Sequence, residues 1–234
     1  MQIVEVTDLA GLRVVMWPFR RRGTALSFLL FPMVHLGEAR FYAEVTEHLR
    51  GCDLLVVEGI GGRSASVEAL TSYKRLAGVE RFGLVLQDID VRALGVELIR
   101  PDLDAEGFDE RWARLHWAER AAARVAFPAM SWALRFVGTR RMLAEHMAMN
   151  DLPEGLEIED LPFAGIEDLV VDQRDRRLVD ALTAIDAKRS HEEITVGVVY
   201  GAAHIRAVVR ALWALGYRPG SGEWLTVFTI LDPG

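Results

Sequence analysis

Apolar residues in the first third of the chain form short runs that alternate with segments of helical periodicity. The runs at 12–19 and 25–34 are separated by a basic turn, which predicts a β-hairpin. Between 38 and 50, apolar residues recur at four-residue spacing and predict a helix. The alternation continues with a strand, a helix and a strand, predicted at 53–59, about 64–77 and 82–86. Strand, helix and strand in this order indicate parallel pairing.

The rest of the chain adds helices and two more strands. Two long amphipathic helices are predicted at 104–126 and 129–150, with a break at Phe127-Pro128 because proline lacks the N–H that a continuous helix uses. A helix, a strand, a helix and a last strand follow at about 166–189, 194–200, 204–215 and 224–230. The pattern predicts one α/β domain over 1–234, with a mostly parallel central sheet, an N-terminal β-hairpin, flanking helices and a helical cap at about 104–150.

Composition narrows the class of protein. The 234 residues are 51% hydrophobic and 26% charged, with a formal net charge of −7, which is typical of a soluble globular protein. Only two lysines are present and the arginines are scattered, so no basic tract is available for a nucleic acid. The single cysteine, Cys52, excludes an internal disulfide framework and favours a reducing, cytoplasmic location. Neither a secretory leader nor a run of about 20 apolar residues is recognisable, so no membrane span is expected.

Polar side chains end three of the predicted strands, at the positions where open α/β sheets bind ligands. His35 ends the run 25–34, Glu58 ends the next strand, and His204 begins the helix after 194–200. Two imidazoles and a carboxylate could hold a divalent metal such as Mn, Zn or Co, or one histidine could act as general base on water. Each residue alone could be a hydrogen-bonded structural group. Their equivalent positions are what point to a site.

Arg174 shares a helix face with the apolar residues Leu178 and Leu182. A buried guanidinium needs a carboxylate, a bound anion or a polarised substrate oxygen, and Glu58 is the expected partner. In a hydrolytic site Arg174 would stabilise a developing oxyanion. The alternative is that its long stem carries the charge out to water.

Several further residues could have either a structural or a functional role. Gly59 and Gly61 follow a strand and precede a helix, where their N–H groups could cradle an anion or simply form a flexible turn. Asp102 or Asp104 is expected as the N-cap of the first long helix. Methionine and tryptophan in the middle helices indicate core or lid packing, or an oligomer interface. No role is assigned to the remaining histidines, His48, His116, His146 and His191.

Two segments also carry the motifs of a known superfamily, LLFPMVHLGEARFYAEVTEHLRGCDLLVVEG and VGVVYGAAHIRAVVRALWALGY. They resemble the two ends of the TraB/PrgY/GumN proteins, which are related to the TIKI proteases and more distantly to the erythromycin esterases and the ChaN haem-associated lipoproteins. That group has a Gly-x-x-His near each end. The second is intact from Gly201 to His204, whereas the first keeps His35 and has Pro32 in place of glycine. The family's other polar positions match Glu58, Gln87, Asp102 and Arg174.

The resemblance implies an α/β fold with a helical cap and a hydrolytic site. In that site the paired histidines and the glutamate bind metal or activate water, acting on a peptide or ester. The catalytic set would be His35, Glu58, Arg174 and His204, and the metal set the same without Arg174. Residues expected around the substrate are Gly59, Gly61, Gln87, Asp102 and Gly201. The glycine lost at Pro32 keeps a second hypothesis open, a non-catalytic module that binds a small ligand, a metal or a haem in the same pocket. A homo-oligomeric scaffold is the third.

Overall fold

Alternation of apolar runs and amphipathic segments produces an α/β fold with a mostly parallel central sheet and an N-terminal antiparallel hairpin. The computed structural model describes residues 2–59, 71–102, 105–149, 166 and 168–230. Within those residues, no helix is both long and apolar enough to cross a membrane.

The first third of the chain confirms the hairpin, the first helix and the strand that follows it. The helix buries the apolar face that its four-residue spacing defines, including Phe41 and Val45. The elements are β1 (Val4–Thr7), β2 (Gly11–Arg20), β3 (Ser27–Met33), β4 (Leu36–Gly37), α1 (Ala39–Leu49) and β5 (Leu54–Val57).

The middle of the chain consists of short strands followed by three helices. Side chains from the first two of these helices and from the helical turn at Asp168–Asp172 form a small apolar cluster that is separate from the main core. It includes Phe108, Trp112 and Leu169. The elements are a 3₁₀ turn (Ser72–Leu76), β6 (Val85–Leu86), β7 (Glu97–Ile99), α2 (Ala105–Arg114), α3 (Trp117–Val137) and α4 (Arg140–Met149).

The C-terminal third contains the strand at the centre of the sheet and the two helices beside it. The predicted helix at 166–189, strand at 194–200, helix at 204–215 and last strand are all present with small shifts of their ends. The elements are a π-helical turn (Asp168–Asp172), α5 (Gln173–Arg189), β8 (Thr195–Gly201), α6 (Ala202–Ala214), β9 (Arg218–Pro219) and β10 (Glu223–Phe228).

The main sheet has the strand order β1-β2-β3-β8-β5-β7. Strands β3, β8, β5 and β7 are parallel, whereas β2 is antiparallel to β1, β3, β9 and β10. Pro32 lies in β3 beyond Leu30, the last residue of β3 that is in register with β2. Its missing N–H is therefore tolerated on that side although β3 is an interior strand.

The helix break predicted at Phe127-Pro128 is wrong, because α3 continues through Pro128. Local signals place the breaks elsewhere. His116 and Glu119 form a capping box that begins α3, and Gly138 ends it with its N–H bonded to the Leu134 carbonyl. The hydrogen bond lost at Pro128 does not end the helix, whose ends are set by the capping box and by Gly138. The segments predicted as two helices at 104–126 and 129–150 are thus three.

The strand predicted at 82–86 is also misplaced. Only Val85–Leu86 is extended, and it pairs antiparallel with Leu36–Gly37 in a separate two-stranded ladder. The parallel neighbours of β5 are β8 and β7. Half of the helix predicted at about 64–77, residues 64–70, lies outside the described residues, and the described half contains a 3₁₀ turn at Ser72–Leu76.

Gly197 of β8 packs closely against the side chains of Leu55 and Cys52. A Cβ atom there would be 2.6 Å from Leu55 Cδ2 and 2.9 Å from Cys52 Sγ, and both residues are buried. We expect Gly197→Ala to lower the free energy of unfolding by about 1–3 kcal/mol, the usual cost of overpacking. Urea denaturation measures the change. Gly51→Ala is the control, since the nearest atom is at 3.4 Å. Equal stability of the two variants would contradict the packing argument.

Candidate functional site

The site lies at the carboxyl ends of three adjacent parallel strands. Strand β8 is between β3 and β5 in the sheet. His35 follows β3, Glu58 follows β5 and His204 lies in the first turn of α6, directly after β8. Parallel strands end at the same edge of a sheet, so the topology brings the three predicted residues to one edge.

The carboxylate of Glu58 is hydrogen-bonded to the backbone at the N-terminus of α6. Its Oε2 accepts a hydrogen bond of 2.6 Å from the N–H of Gly201, the N-cap of that helix. A side chain at Gly201 would bring a Cβ to 3.1 Å from the same oxygen. Glycine therefore allows the carboxylate to approach the backbone, where the helix dipole favours a negative charge.

Arg174 bridges two carboxylates. As the helix periodicity predicts, Arg174 is buried and Glu58 is its partner, with Nη2 2.6 Å from Oε1. The guanidinium also binds Asp102 side-on, with Nε–Oδ1 at 2.8 Å and Nη2–Oδ2 at 2.6 Å. Oδ2 of Asp102 also accepts the N–H of Gly59 at 3.1 Å. The carboxylate expected as an N-cap thus bonds Arg174 and Gly59, and the other N-cap candidate, Asp104, lies outside the described residues.

Ion pairing in the cluster of Glu58, Asp102, Arg174 and His204 favours the charged forms of Glu58 and Arg174. Burial alone raises the pKa of Glu58, but the Arg174 guanidinium, the two histidines and the Gly201 N–H outweigh it, so the pKa is lowered. Burial opposes the charge of Arg174 too, and its hydrogen bonds to Asp102 and Glu58 nevertheless raise its pKa. Glu58 is therefore an anion at neutral pH.

His204 is buried, with 3% of its surface exposed, and both ring nitrogens face carboxylates. Nδ1 lies 2.7 Å from Oδ1 of Asp175, and Nε2 lies 3.8 Å from Oε1 of Glu58. The first distance is a hydrogen bond that fixes the ring orientation. The second is too long for a direct hydrogen bond. A water molecule bound to one side of the two atoms would be within hydrogen-bond reach of both.

Asp175 is a site residue that the sequence analysis missed. It follows Arg174 directly in α5, and its spacing to Leu178 and Leu182 puts it on the same face of the helix. That spacing is a usable signal, because a buried histidine commonly needs a carboxylate to set its tautomer.

His35 lies at the exposed rim of the site. Its ring stacks on Tyr73 with centroids 4.8 Å apart, and its carbonyl accepts the N–H of Gln87 at 3.0 Å. Gln87, expected near the substrate, is thereby beside His35. Desolvation of the ring by surrounding atoms lowers the pKa of His35, although the Glu58 carboxylate opposes this shift. The ring is therefore neutral at pH 7. An exposed neutral imidazole can accept or donate a hydrogen bond to a ligand.

Tyr200 places a second unpredicted polar group near the cluster. The residue is 1% exposed, and its hydroxyl has no hydrogen-bond partner in the part of the chain that the structure describes. Its ring meets that of His204 edge to face at 5.6 Å. Burial raises its pKa, and the carboxylates of Asp102 and Glu58 raise it further. The phenol is therefore protonated and can donate.

The predicted metal set does not form a coordination group in this structure. The ligand atoms of these three described residues, His35, Glu58 and His204, do not all lie within 4.8 Å of one another. In addition, both oxygens of Glu58 already accept hydrogen bonds. The cluster that could hold a metal ion by this measure is elsewhere, at Glu44, His48 and Glu223. Gly61 lies outside the described residues.

Comparison with known proteins adds no relative. No model of a protein family matches the chain, and neither a curated protein nor a solved structure matches it. The resemblance to the TraB group therefore remains an expectation based on the short motifs.

Proposed function

We propose that the protein is a hydrolase of esters or peptides that activates water with His204. The observation that supports this most strongly is the arrangement of the buried imidazole between two carboxylates, Asp175 at Nδ1 and Glu58 beyond Nε2. A histidine whose one nitrogen is fixed by a carboxylate and whose other nitrogen has no direct hydrogen bond to the second carboxylate is suited to act as a general base.

In the proposed reaction, Nε2 of His204 takes a proton from a water molecule as the water oxygen attacks the substrate carbonyl carbon. The carboxylates of Asp175 and Glu58 stabilise the imidazolium that forms. The imidazolium then gives its proton to the leaving alkoxide or amine as the tetrahedral intermediate collapses. The products are a carboxylic acid and an alcohol or amine, and His204 is neutral again.

Arg174 serves as a positioning residue in this proposal. Its Nε and Nη2 donate to Asp102 and Glu58, so these donors hold the two carboxylates rather than point to a substrate oxygen. His35 at the rim is the better placed group to contact the substrate. The proposed steps are written without a Mn, Zn or Co ion, and the ligand atoms of His35, Glu58 and His204 do not all lie within 4.8 Å of one another.

The test is hydrolysis of a broad panel of chromogenic esters and peptides by the full chain and four variants. We expect His204→Ala to lower kcat by about 100-fold or more, the usual contribution of a general base, with Tm within a few degrees. Asp175→Asn should lower kcat and leave KM nearly unchanged, and Asp175→Glu should restore part of the rate. His146→Ala, which removes an exposed histidine of α4, is the control and should match the parent.

Two outcomes would overturn the proposal. One is turnover that survives His204→Ala. The other is a parent protein that turns over no member of the panel but retains a copurified small ligand, which would favour the non-catalytic binding module.

A further inference from the structure

A second cluster of metal-ligating side chains lies where α1 meets β10. Glu44 and His48 are one helical turn apart on α1, and Glu223 is the first residue of β10. One ligand atom from each lies within 4.8 Å of the others, and His48 Nε2 is 4.0 Å from an oxygen of Glu223. The spacing i, i+4 puts the two helical residues on the same face, towards the strand.

The backbone holds this cluster together. The N–H of Glu38, the N-cap of α1, donates to the Val227 carbonyl of β10 at 2.9 Å. Strand β10 is in turn paired with β2 over most of its length. Helix and strand are thus fixed relative to each other, and only the side chains need to adjust on binding.

The donor set is typical of a transition-metal site. One imidazole nitrogen and two carboxylate oxygens are ligands for Zn²⁺, and two negative charges balance the ion. Tetrahedral coordination with bonds of about 2.0–2.2 Å places ligand atoms about 3.3–3.6 Å apart. His48 Nε2 and the Glu223 oxygen are 4.0 Å apart and all three ligand atoms lie within 4.8 Å, so binding requires the side chains to move closer. Both glutamates are exposed and able to rotate inward. The imidazole distinguishes this group from an ordinary acidic surface patch.

We propose that Glu44, His48 and Glu223 bind one divalent transition-metal ion such as Zn²⁺, with water in the open coordination position. The ion would connect α1 to β10. This site shares no residue with the proposed hydrolytic site and is independent of that function. Because the ligands converge only in the folded chain, metal binding stabilises the fold.

The experiment uses the full chain, freed of metal with a chelator that is then removed, and titrated with Zn²⁺. We expect one ion per chain by elemental analysis after equilibrium dialysis. At hundredfold excess over the dissociation constant, Tm should rise by about 5–10 °C. Removing a direct ligand should cost at least as much as removing an outer partner of a metal site, about 10-fold in affinity or more. His48→Gln and Glu223→Gln should each show that loss and a smaller Tm increase.

Two controls separate this site from the rest of the molecule. His146→Gln removes an exposed helical histidine outside the cluster, and His204→Ala removes the proposed general base. Both should retain parental zinc affinity. Parental affinity in His48→Gln and Glu223→Gln, or no stoichiometric zinc in the parent, would overturn the proposal. Loss of zinc in His204→Ala alone would also overturn it and would assign the metal to the other site.

Discussion

Arg174→Ala is expected to lower the free energy of unfolding at pH 7 by about 3–5 kcal/mol, because it leaves buried carboxylates without their cation. The side chain of Asp102 is 1% exposed and that of Glu58 18% exposed, and both bind the same guanidinium. At 1% exposure, the Asp102 carboxylate is too deeply buried for bulk water to replace the guanidinium. Urea denaturation measures the change.

The effect should depend on pH in a defined direction. In the parent, the folded-state pKa of Glu58 lies below its ordinary value of 4.5, so its ionised form contributes stability above that pH, which is lost as the pH falls through the folded-state value. In Arg174→Ala the opposing effect of burial remains, and the charged form is disfavoured. Protonation of Glu58 then raises the stability of the variant, whereas it lowers the stability of the parent. The difference in stability should narrow as the pH falls through the raised pKa of Glu58 in the variant, and should go on narrowing until the pH is below the lowered pKa of Glu58 in the parent.

Arg176→Ala is the matched control, since this arginine lies on the exposed face of the same helix. It should leave the denaturation midpoint nearly unchanged. Arg174→Ala combined with Glu58→Gln should recover part of the loss by removing one buried charge. A stability difference between Arg174→Ala and the parent that stays constant from neutral to acid pH would show that the loss comes from packing rather than from the unpaired carboxylates.

The elements predicted correctly from the sequence are those whose apolar residues form one face of a helix or an uninterrupted buried run. The helix from Ala39 to Leu49 and the strand from Thr195 to Gly201 are examples, since local pattern and burial agree in both. Strand β7 at Glu97–Ile99 was missed because it is short and is defined by pairing with β5, which lies far away in sequence. Local propensity carries no information on such a partner.

In the candidate site too, some residues could be predicted from the sequence and others depend on contacts between distant segments. Residues at strand ends could be found because topology alone decides where His35, Glu58 and His204 meet. Asp175 was missed because its role depends on how α5 packs beside α6, although its position on the buried face was readable. Metal coordination depends on distances of a few ångströms between side chains, which no spacing rule specifies.

A second large loss of stability is expected at Arg140, whose side chain is buried between α4 and the end of the sheet. Its Nε donates to the Thr229 carbonyl at 2.6 Å, its Nη1 to the Phe82 carbonyl at 2.7 Å, and its Nη2 pairs with Glu38. Burial raises the pKa of Glu38, but the Thr229 N–H and the Arg140 guanidinium outweigh it and lower the pKa. One guanidinium thus joins three segments that are far apart in the chain.

Arg140→Ala should therefore lower the free energy of unfolding by about 3–5 kcal/mol, measured by urea denaturation at pH 7, because two carbonyls and a carboxylate lose their donor together. Arg140→Lys keeps the charge but cannot reach all three acceptors, so its stability should be intermediate. The neighbouring Arg141→Ala is the control. Arg141 pairs with Asp8 through side chains that are 51% and 79% exposed, and solvent already screens that pair. If Arg140→Ala and Arg141→Ala shifted the denaturation midpoint equally, the buried network could not be what holds α4 to the sheet.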